Sequence, residues 1–289
     1  MTVDITDIEG LGTIAGRFDH VLLDQWGTLH EGQAVFSLAR DCVMRLREAG
    51  KRVLVLSNSG KRAGSNAARL ASLGLPADAY DGILTSGEVT WHGLKARAHE
   101  PFIALGRNCF LITRGGDQAI VDGLDLDLVT NAGKADFILL AGLDDAAAEP
   151  EHWRACLTSA VARGRPMLCA NPDLAMFGAS GLIPAPGALA RFYETLGGRV
   201  TYVGKPHAPI FAAALERLGQ PDPSRVLMIG DSLDHDVAGA SRAGMLTLLL
   251  RSGVHRDQAR SSSNGNLTLW KPAGVDVPIP HWTMDHLAW

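Results

Sequence analysis

The segment HVLLDQWGTL, residues 20–29, decides the fold. Its first four residues form a short apolar run that ends at Asp24, and the turn-forming pair Gly27-Thr28 follows. Such a run, closed by a polar residue, is typical of a buried strand in a parallel sheet. The segment therefore predicts a strand that carries the carboxylate of Asp24 at its carboxyl end.

The segments that follow predict a parallel sheet. Apolar residues recur at helical spacing over 35–46, and residues 53–56 read as a second buried strand that ends at Ser57-Asn58. Strand, helix and strand with short connections indicate a right-handed βαβ unit. Towards the C-terminus the pattern predicts strands at 201–203, 225–229 and 246–250 and helices at 209–218 and 236–243. We therefore expect both ends of the chain to build one sheet.

The middle of the chain has an α/β pattern of its own. It predicts strands at 109–112, 136–141 and 166–170 and a helix over 153–162. We interpret the chain as an α/β protein with a doubly wound, Rossmann-like core and an inserted α/β cap domain. The expected core comprises residues 1–89 and 184–289, and the expected cap comprises residues 90–183.

Composition excludes some classes of function. A chain of 289 residues with a formal net charge of −4 and a pI near 6.2 has no basic footprint for nucleic acid. The first residues carry no basic leader, and no apolar run approaches the roughly 20 residues of a membrane span. The four cysteines are far apart and form no Cys-x-x-Cys pair, which favours buried free thiols. We therefore expect a cytoplasmic protein that binds neither nucleic acid nor membrane.

Polar side chains at the predicted strand ends point to phosphate chemistry, because ligands bind beyond the carboxyl ends of parallel strands. A carboxylate there can attack phosphorus as a nucleophile, and two facing carboxylates need a cation between them. Mg²⁺ prefers hard oxygen ligands and neutralises charge on a phosphoryl group. We expect Asp24 and Asp231 to bind Mg²⁺ directly, with Asp236 holding a metal-bound water. Ser57 would donate to phosphate oxygens, and Lys205 would balance the charge of the nucleophile and the phosphoryl group.

Four segments resemble, in order and content, the motifs of the haloacid dehalogenase superfamily. They are LLDQWGTLHEG (22–32), VLVLSNSGKR (53–62), YVGKPHAPIF (202–211) and VLMIGDSLDHD (226–236). The inserted segment, with Ala170-Asn171-Pro172-Asp173, resembles the cap of the NagD-like and 4-nitrophenyl phosphatase-like branch. The resemblance extends to about Gly253. It implies a Mg²⁺-dependent phosphatase acting on a small phosphomonoester such as a sugar phosphate or nucleotide, and it allows a homodimer.

The resemblance also implies roles for single residues. Asp24 would be the nucleophile, and the main-chain carbonyl of Trp26 would join Asp231 and Asp236 at the metal. Asn58 would be either a further phosphate ligand beside Ser57 and Lys205 or a helix N-cap. Family caps reach over the catalytic crevice, so Asn171 and Asp173 would either contact the leaving group or form a structural turn.

One position departs from the family pattern. Phosphatases of this superfamily usually carry a second Asp two residues after the nucleophile, which protonates the leaving oxygen, and this chain has Trp26 there. An indole N–H donates hydrogen bonds but is not an acid near neutral pH. General acid catalysis is worth about 10²- to 10⁴-fold in rate. Candidates for a substitute acid are His30, Glu31, Asp234 and Asp173. Trp26 itself either packs to shape the pocket or presents its ring face to a sugar or base.

Two alternative functions follow from Trp26. Haloacid dehalogenases also replace the second Asp with an aromatic residue, but displacement at carbon does not require the metal site that Asp231 and Asp236 indicate. A protein that kept the metal and phosphate site and lost the acid would bind a phosphorylated ligand with almost no turnover.

Overall fold

The computed structural model describes residues 5–178, 181–253, 259–261, 267–269 and 278–289. Its strands are β1 (Thr6–Asp7), β2 (His20–Asp24), β3 (Arg52–Ser57), β4 (Gly82–Thr85), β5 (Asn108–Ile112), β6 (Asp127–Leu128), β7 (Phe137–Leu140), β8 (Met167–Cys169), β9 (Ala175–Gly178), β10 (Gly181–Pro184), β11 (Val200–Tyr202), β12 (Val226–Gly230), β13 (Leu246–Leu250), β14 (Ala259–Ser261), β15 (Leu267–Leu269) and β16 (Trp282–Met284). Its α-helices are α1 (Ser37–Glu48), α2 (Ala63–Ser72), α3 (Ser86–Ala96), α4 (Arg154–Val161), α5 (Pro186–Thr195), α6 (Ala208–Leu218) and α7 (Ala238–Arg242).

The chain forms two compact units. Unit 1 comprises Met1–Ser57, Gly64–Leu84 and Phe211–Trp289, and unit 2 comprises residues 58–63 and Thr85–Ile210. The predicted α/β class with mainly parallel sheets is confirmed. The predicted limits of the core and cap, at residues 89/90 and 183/184, stay predictions.

Unit 1 is built on a seven-stranded sheet with the order β1-β16-β13-β12-β2-β3-β4. Strand β2 lies between β3 and β12 and pairs in parallel with both. The apolar residues of these central strands are fully buried, because helices and loops leave neither face in water. The parallel pairing brings the carboxyl ends of β2 and β12 to the same edge of the sheet.

Unit 2 contains a five-stranded sheet with the order β11-β8-β7-β5-β6, in which every neighbouring pair is parallel. Two hydrophobic clusters pack on it, centred on residues such as Ile138 and Tyr193 and on Phe137 and Leu168. The prediction that the strand near residue 201 joins the same sheet as β2 was wrong. Strand β11 pairs with β8 instead. A short apolar run does not indicate which strand it will pair with.

A π-helical turn, Leu233–Val237, comes before α7 in unit 1. The helix expected over 236–243 therefore begins three residues earlier than predicted, and α7 ends at Arg242. The Ser232 hydroxyl accepts a hydrogen bond from the backbone N–H of His235 and caps this turn. The wider turn sets the direction in which the Asp236 side chain leaves the backbone.

The cysteines are free thiols, as predicted: Cys42, Cys109 and Cys169 are buried and Cys156 is half-buried. Burial raises the pKa of Cys42, Cys109 and Cys169 to about 12, so these thiols are unreactive near neutral pH. Among the described residues, none of the helices has the length and apolar character that crossing a bilayer requires.

Candidate active site

Three buried carboxylates converge in unit 1. Asp24 ends β2, Asp231 follows β12, and Asp236 lies in the π-helical turn. Each offers one oxygen, and these three atoms all lie within 4.8 Å of one another. The three side chains are 9%, 3% and 1% exposed. The sequence-predicted acids therefore meet at one point, beyond the carboxyl ends of two adjacent strands.

Glycines make room for these carboxylates. A Cβ atom at residue 27 would lie 2.4 Å from Oδ2 of Asp231, and one at residue 253 would lie 2.5 Å from the same oxygen. A Cβ atom at residue 230 would lie 2.1 Å from Oδ2 of Asp236. Only glycine fits at these places. Gly27 also has a φ of +84°, a conformation that other residues rarely adopt.

Backbone donors orient one of the acids. The Ser232 N–H donates to Oδ2 of Asp236 at 3.1 Å, and the Asp236 N–H donates to the Ser232 carbonyl at 3.0 Å. This reciprocal pair fixes the Asp236 carboxylate against the end of β12. Together, the carboxylate oxygens of the three acids form a concentrated set of hard, negatively charged ligand atoms for a metal ion.

Trp26 occupies the loop between Asp24 and the glycine turn. Its ring meets the His30 ring edge-on, with centroids 5.3 Å apart and planes at 80°. The Gly27 N–H donates to the His30 carbonyl at 2.9 Å, which closes this loop. The Trp26 side chain remains 37% exposed, an unusual state for so large an apolar group.

His30 is poorly suited to donate a proton near neutral pH. The residue is fully buried, and the Gly32 N–H donates to its Nδ1 at 3.0 Å. Burial, with a smaller contribution from the charge of Arg69, lowers the pKa of His30 to about 4. A neutral imidazole has no spare acidic proton at pH 7, which makes His30 the least suitable of the candidates for a substitute acid.

Ser57 and Asn58 fall in different surroundings although they are adjacent in the chain. Ser57 ends β3 in unit 1 and is buried. Asn58 belongs to unit 2, where its Nδ2 donates to Oδ1 of Asp173 at 2.7 Å and to the Lys205 carbonyl at 3.1 Å. Its Oδ1 accepts the Lys205 N–H at 2.7 Å and lies 3.5 Å from Oγ of Ser86. Both N–H donors are used, which favours a positioning role over direct phosphate binding.

The structure groups the predicted residues of unit 2 around this asparagine. Lys205 is 2% exposed, and its backbone is held at both its N–H and its carbonyl. Asn171 accepts the Asp173 N–H at 3.0 Å and closes a tight turn. Asn171 and Asp173 therefore have the structural turn that the sequence left as one alternative. Their contact with a leaving group stays a prediction.

Some site residues were not singled out from the sequence. Gly230 and Gly253 have no side chain, and they leave room for the carboxylates of Asp236 and Asp231. Ser86, at the start of α3, joins the hydrogen-bonded cluster around Asn58. A glycine immediately before Asp231 was a usable signal for close packing at a strand end. Gly253 and Ser86 could be found only once the strand order was known.

Comparison with known proteins gives matches along most of the chain. Residues 21–127 match a family model described as haloacid dehalogenase-like hydrolase, and residues 202–270 match one described as HAD-hydrolase-like. A haloacid dehalogenase-like hydrolase from Brucella suis 1330 has 34% identity and a TM-score of 0.80, covering 97% of this chain and 99% of that chain.

Two further relatives carry functional names. The 5'-nucleotidase YutF of Bacillus subtilis is 28% identical over 81% of this chain and 87% of its own length. The glycerol phosphate phosphatase of Mycobacterium tuberculosis, solved in complex with magnesium, is 26% identical with a TM-score of 0.65. That match covers 83% of this chain and 70% of the other.

Proposed function

We propose that this chain, which belongs to the haloacid dehalogenase-like hydrolase family, is a Mg²⁺-dependent phosphatase acting on a small phosphomonoester. The family, predicted from four motifs, is confirmed, and its NagD-like branch stays a prediction. The single observation that carries the proposal is the convergence of Asp24, Asp231 and Asp236 at one buried point.

The donor set fits Mg²⁺. Three carboxylates within 4.8 Å repel one another, and burial strengthens that repulsion, so a divalent cation between them relieves a large electrostatic cost. All three offer hard oxygen atoms, and no described cysteine or histidine takes part in this cluster, which suits Mg²⁺ better than softer metals. The related phosphatase solved with magnesium supports the same choice. When bound, the ion would neutralise charge on the phosphoryl group.

Asp24 is the proposed nucleophile. An Oδ atom of Asp24 attacks phosphorus, the bond from phosphorus to the ester oxygen breaks, and that oxygen leaves as an anion that takes a proton from water to give the alcohol. Water then hydrolyses the phospho-Asp24 intermediate and releases phosphate. The position of Asp24 at the end of a buried strand holds the attacking oxygen in one place, which supplies much of the advantage of an enzymatic reaction.

Ser57 and Lys205 are the proposed phosphate ligands, as their motifs imply. The burial of Lys205 supports this role, because a buried ammonium interacts strongly with an anion. We assign Asn58 the task of fixing the Lys205 backbone. The main-chain carbonyl of Trp26 remains the proposed further metal ligand.

The proposed substrate class is a small phosphorylated metabolite. The names of two relatives, a 5'-nucleotidase and a glycerol phosphate phosphatase, support this class. Dehalogenation receives no support from the site, because displacement at carbon leaves a cluster of three metal-binding acids unexplained.

The first experiment is steady-state hydrolysis of p-nitrophenyl phosphate, with and without Mg²⁺, by the wild-type protein and by Asp24→Asn. We expect Mg²⁺-dependent turnover that falls by at least about 10³-fold in the variant, as for loss of a covalent nucleophile. Turnover that persists in Asp24→Asn would contradict the phospho-aspartate route. Asp41→Asn, an exposed acid on α1, is the control and should behave as wild type.

A second candidate function rests on Trp26. If the missing acid has abolished catalysis, the protein binds a phosphorylated ligand without turning it over. Calorimetric titration with inorganic phosphate in the presence of Mg²⁺ separates the two functions. Phosphate binding with no hydrolysis of p-nitrophenyl phosphate would favour the binding protein.

A further inference from the structure

We propose that the indole of Trp26 is the surface that receives the leaving group of the substrate, and that it selects esters of phenolic ring compounds over acyclic alkyl phosphates. This inference rests on the proposed phosphatase function and adds the class of substrate. It concerns a position at which the chain departs from its family.

The indole is held rigidly. Its six-membered ring lies over Gly32, where a Cβ atom would come within 2.7 Å of Cη2 of Trp26. Gly32 has a φ of +94°, so both the close approach and the backbone conformation require glycine there. The His30 ring supports the indole edge-on, and His30 is itself fully buried. The side chain is therefore fixed before any ligand arrives.

A packing role alone does not account for the exposure of Trp26. A core tryptophan is highly buried on average, whereas this one leaves 37% of its surface accessible two residues beyond Asp24. A rigid aromatic ring offers a large contact area at little cost in conformational entropy. Stacking of a second flat ring adds a favourable interaction beyond the apolar area that it buries.

The chemistry of the leaving group points the same way. An indole does not protonate the departing oxygen, so the ester oxygen must leave without help from residue 26. A phenolic oxygen has a pKa of about 10, whereas the pKa of an aliphatic alcohol is far higher and close to that of water. A phenolate therefore leaves far more readily without a proton. A tryptophan in place of the acid suits a substrate whose ring both stacks and stabilises the departing charge.

Three substrates separate these two effects: phenyl phosphate, benzyl phosphate and glycerol 3-phosphate. Phenyl phosphate has a ring and a phenolic leaving group, benzyl phosphate has a ring and an alkyl leaving group, and glycerol 3-phosphate has neither. We expect kcat/KM of the wild type to fall in that order. In Trp26→Leu the ratio of kcat/KM for benzyl phosphate to that for glycerol 3-phosphate should fall about tenfold, since stacking is lost.

Two further variants complete the test. Trp26→Phe retains a ring and should keep most of the preference for benzyl phosphate. Phe36→Leu, which removes another exposed aromatic side chain of unit 1, should leave the ratio unchanged. Trp26→Asp should raise kcat for glycerol 3-phosphate by at least about tenfold, as a restored acid would.

The outcomes distinguish this inference from the proposed function. If no phosphate ester is hydrolysed by any variant, the phosphatase function fails. If wild type and Asp24→Asn behave as proposed but Trp26→Leu keeps the wild-type ratio, the phosphatase stands and the role of the indole is overturned. A wild type that prefers glycerol 3-phosphate to phenyl phosphate also overturns it.

Discussion

The carboxylate cluster of unit 1 and the Asn58 cluster of unit 2 are built on opposite principles. The first brings Asp24, Asp231 and Asp236 together with like charges. The second satisfies its polar groups among themselves, because the amide of Asn58 uses its donors and its acceptor on unit 2 partners such as Lys205 and Asp173. The acids concentrate negative charge at one buried point, whereas the hydrogen-bonded group pairs the donors and the acceptor of its central amide.

Burial has different energetic consequences for hydrogen-bonded groups and for like charges. A buried hydrogen-bonded network is stable when every member has a partner, and it becomes costly when one member is removed. Buried like charges are costly from the start and become favourable when a counter-ion binds. We therefore expect mutations in the carboxylate cluster to change metal use and turnover, and replacement of Asn58 to change mainly stability.

The largest effect is expected from Gly27→Ala. The added methyl group would lie 2.4 Å from Oδ2 of Asp231 and would displace that carboxylate. A shift of about 1 Å at a catalytic group costs roughly 10²-fold or more in rate, so we expect kcat for p-nitrophenyl phosphate to fall about 10²- to 10³-fold.

Gly50→Ala is the matched control for this substitution. Gly50 has a similar φ, +72°, but a Cβ atom added there would have no neighbouring atom within 4 Å, so the variant carries only the backbone strain. We expect Gly50→Ala to lose about 1 kcal/mol of stability and to keep wild-type kcat. Equal losses of activity in the two variants would show that strain, and not crowding of Asp231, explains the Gly27 result.

The next effect should come from Asn58→Ala in the hydrogen-bonded cluster. The change leaves the Lys205 N–H and carbonyl buried without their partner and removes a donor from Asp173. Each such loss costs about 1–3 kcal/mol, so we expect the free energy of unfolding to fall by about 3 kcal/mol in chemical denaturation.

Asn131→Ala provides the comparison in the same unit. Asn131 is exposed, and its side-chain Oδ1 accepts the Gly133 N–H at 2.9 Å. Its loss should cost about 1 kcal/mol. If the two variants lost equal free energy of unfolding, the Asn58 network would stabilise the protein no more than the single exposed hydrogen bond of Asn131.

The same contrast explains how far the sequence could predict this protein. Apolar runs that end in polar residues marked β2, β3 and β12, and parallel strands place their ends at one edge, so the meeting of Asp24 and Asp231 followed from the pattern. The neighbours of Asn58 did not follow, since hydrogen bonds among distant residues such as Ser86 leave no periodic signal. The wrong sheet for β11 has the same cause, because a three-residue strand does not encode its partner.

A third prediction concerns Asp236→Asn. The substitution removes one negative charge and keeps an oxygen that can accept the Ser232 N–H. Without metal, the melting temperature should rise, because repulsion among the buried acids falls. The Mg²⁺ concentration for half-maximal activity should increase about tenfold, equivalent to about 1.4 kcal/mol, as a ligand charge is lost.

Asp234→Asn controls for this change in the same turn. Asp234 is half-buried and does not belong to the cluster of three acids. We expect its Mg²⁺ dependence to match the wild type. A metal-free Asp236→Asn protein that melts below the wild type would contradict the claim that the three carboxylates repel one another.

The smallest predicted effect is that of Glu88→Gln, which tests whether a charge in unit 2 stabilises once it is paired. Glu88 accepts two hydrogen bonds from Arg62, at 2.7 and 2.9 Å, and one from the Ala63 N–H at 2.9 Å. These bonds, led by those from Arg62, hold the pKa of Glu88 below its usual value. At pH 7 we expect the variant to be less stable by about 1 kcal/mol, the worth of a charged and partly buried pair.

The lowered pKa of Glu88 also predicts how the stability difference between the two proteins changes with pH. Because the pKa of Glu88 is lower in the folded protein than the unfolded value of about 4.3, its contribution is complete above that value and is lost as pH falls through the folded pKa. The difference in melting temperature between wild type and Glu88→Gln should therefore be constant from pH 7 to about 5 and shrink at lower pH. His92, whose Nε2 lies 3.3 Å from Oε1, can pair with that charge only in the wild type. Both proteins should therefore carry His92→Gln, so that the difference isolates the charge of Glu88. A Glu88→Gln protein that melts above its Glu88 counterpart at pH 7 would mean that the paired charge is a cost in unit 2.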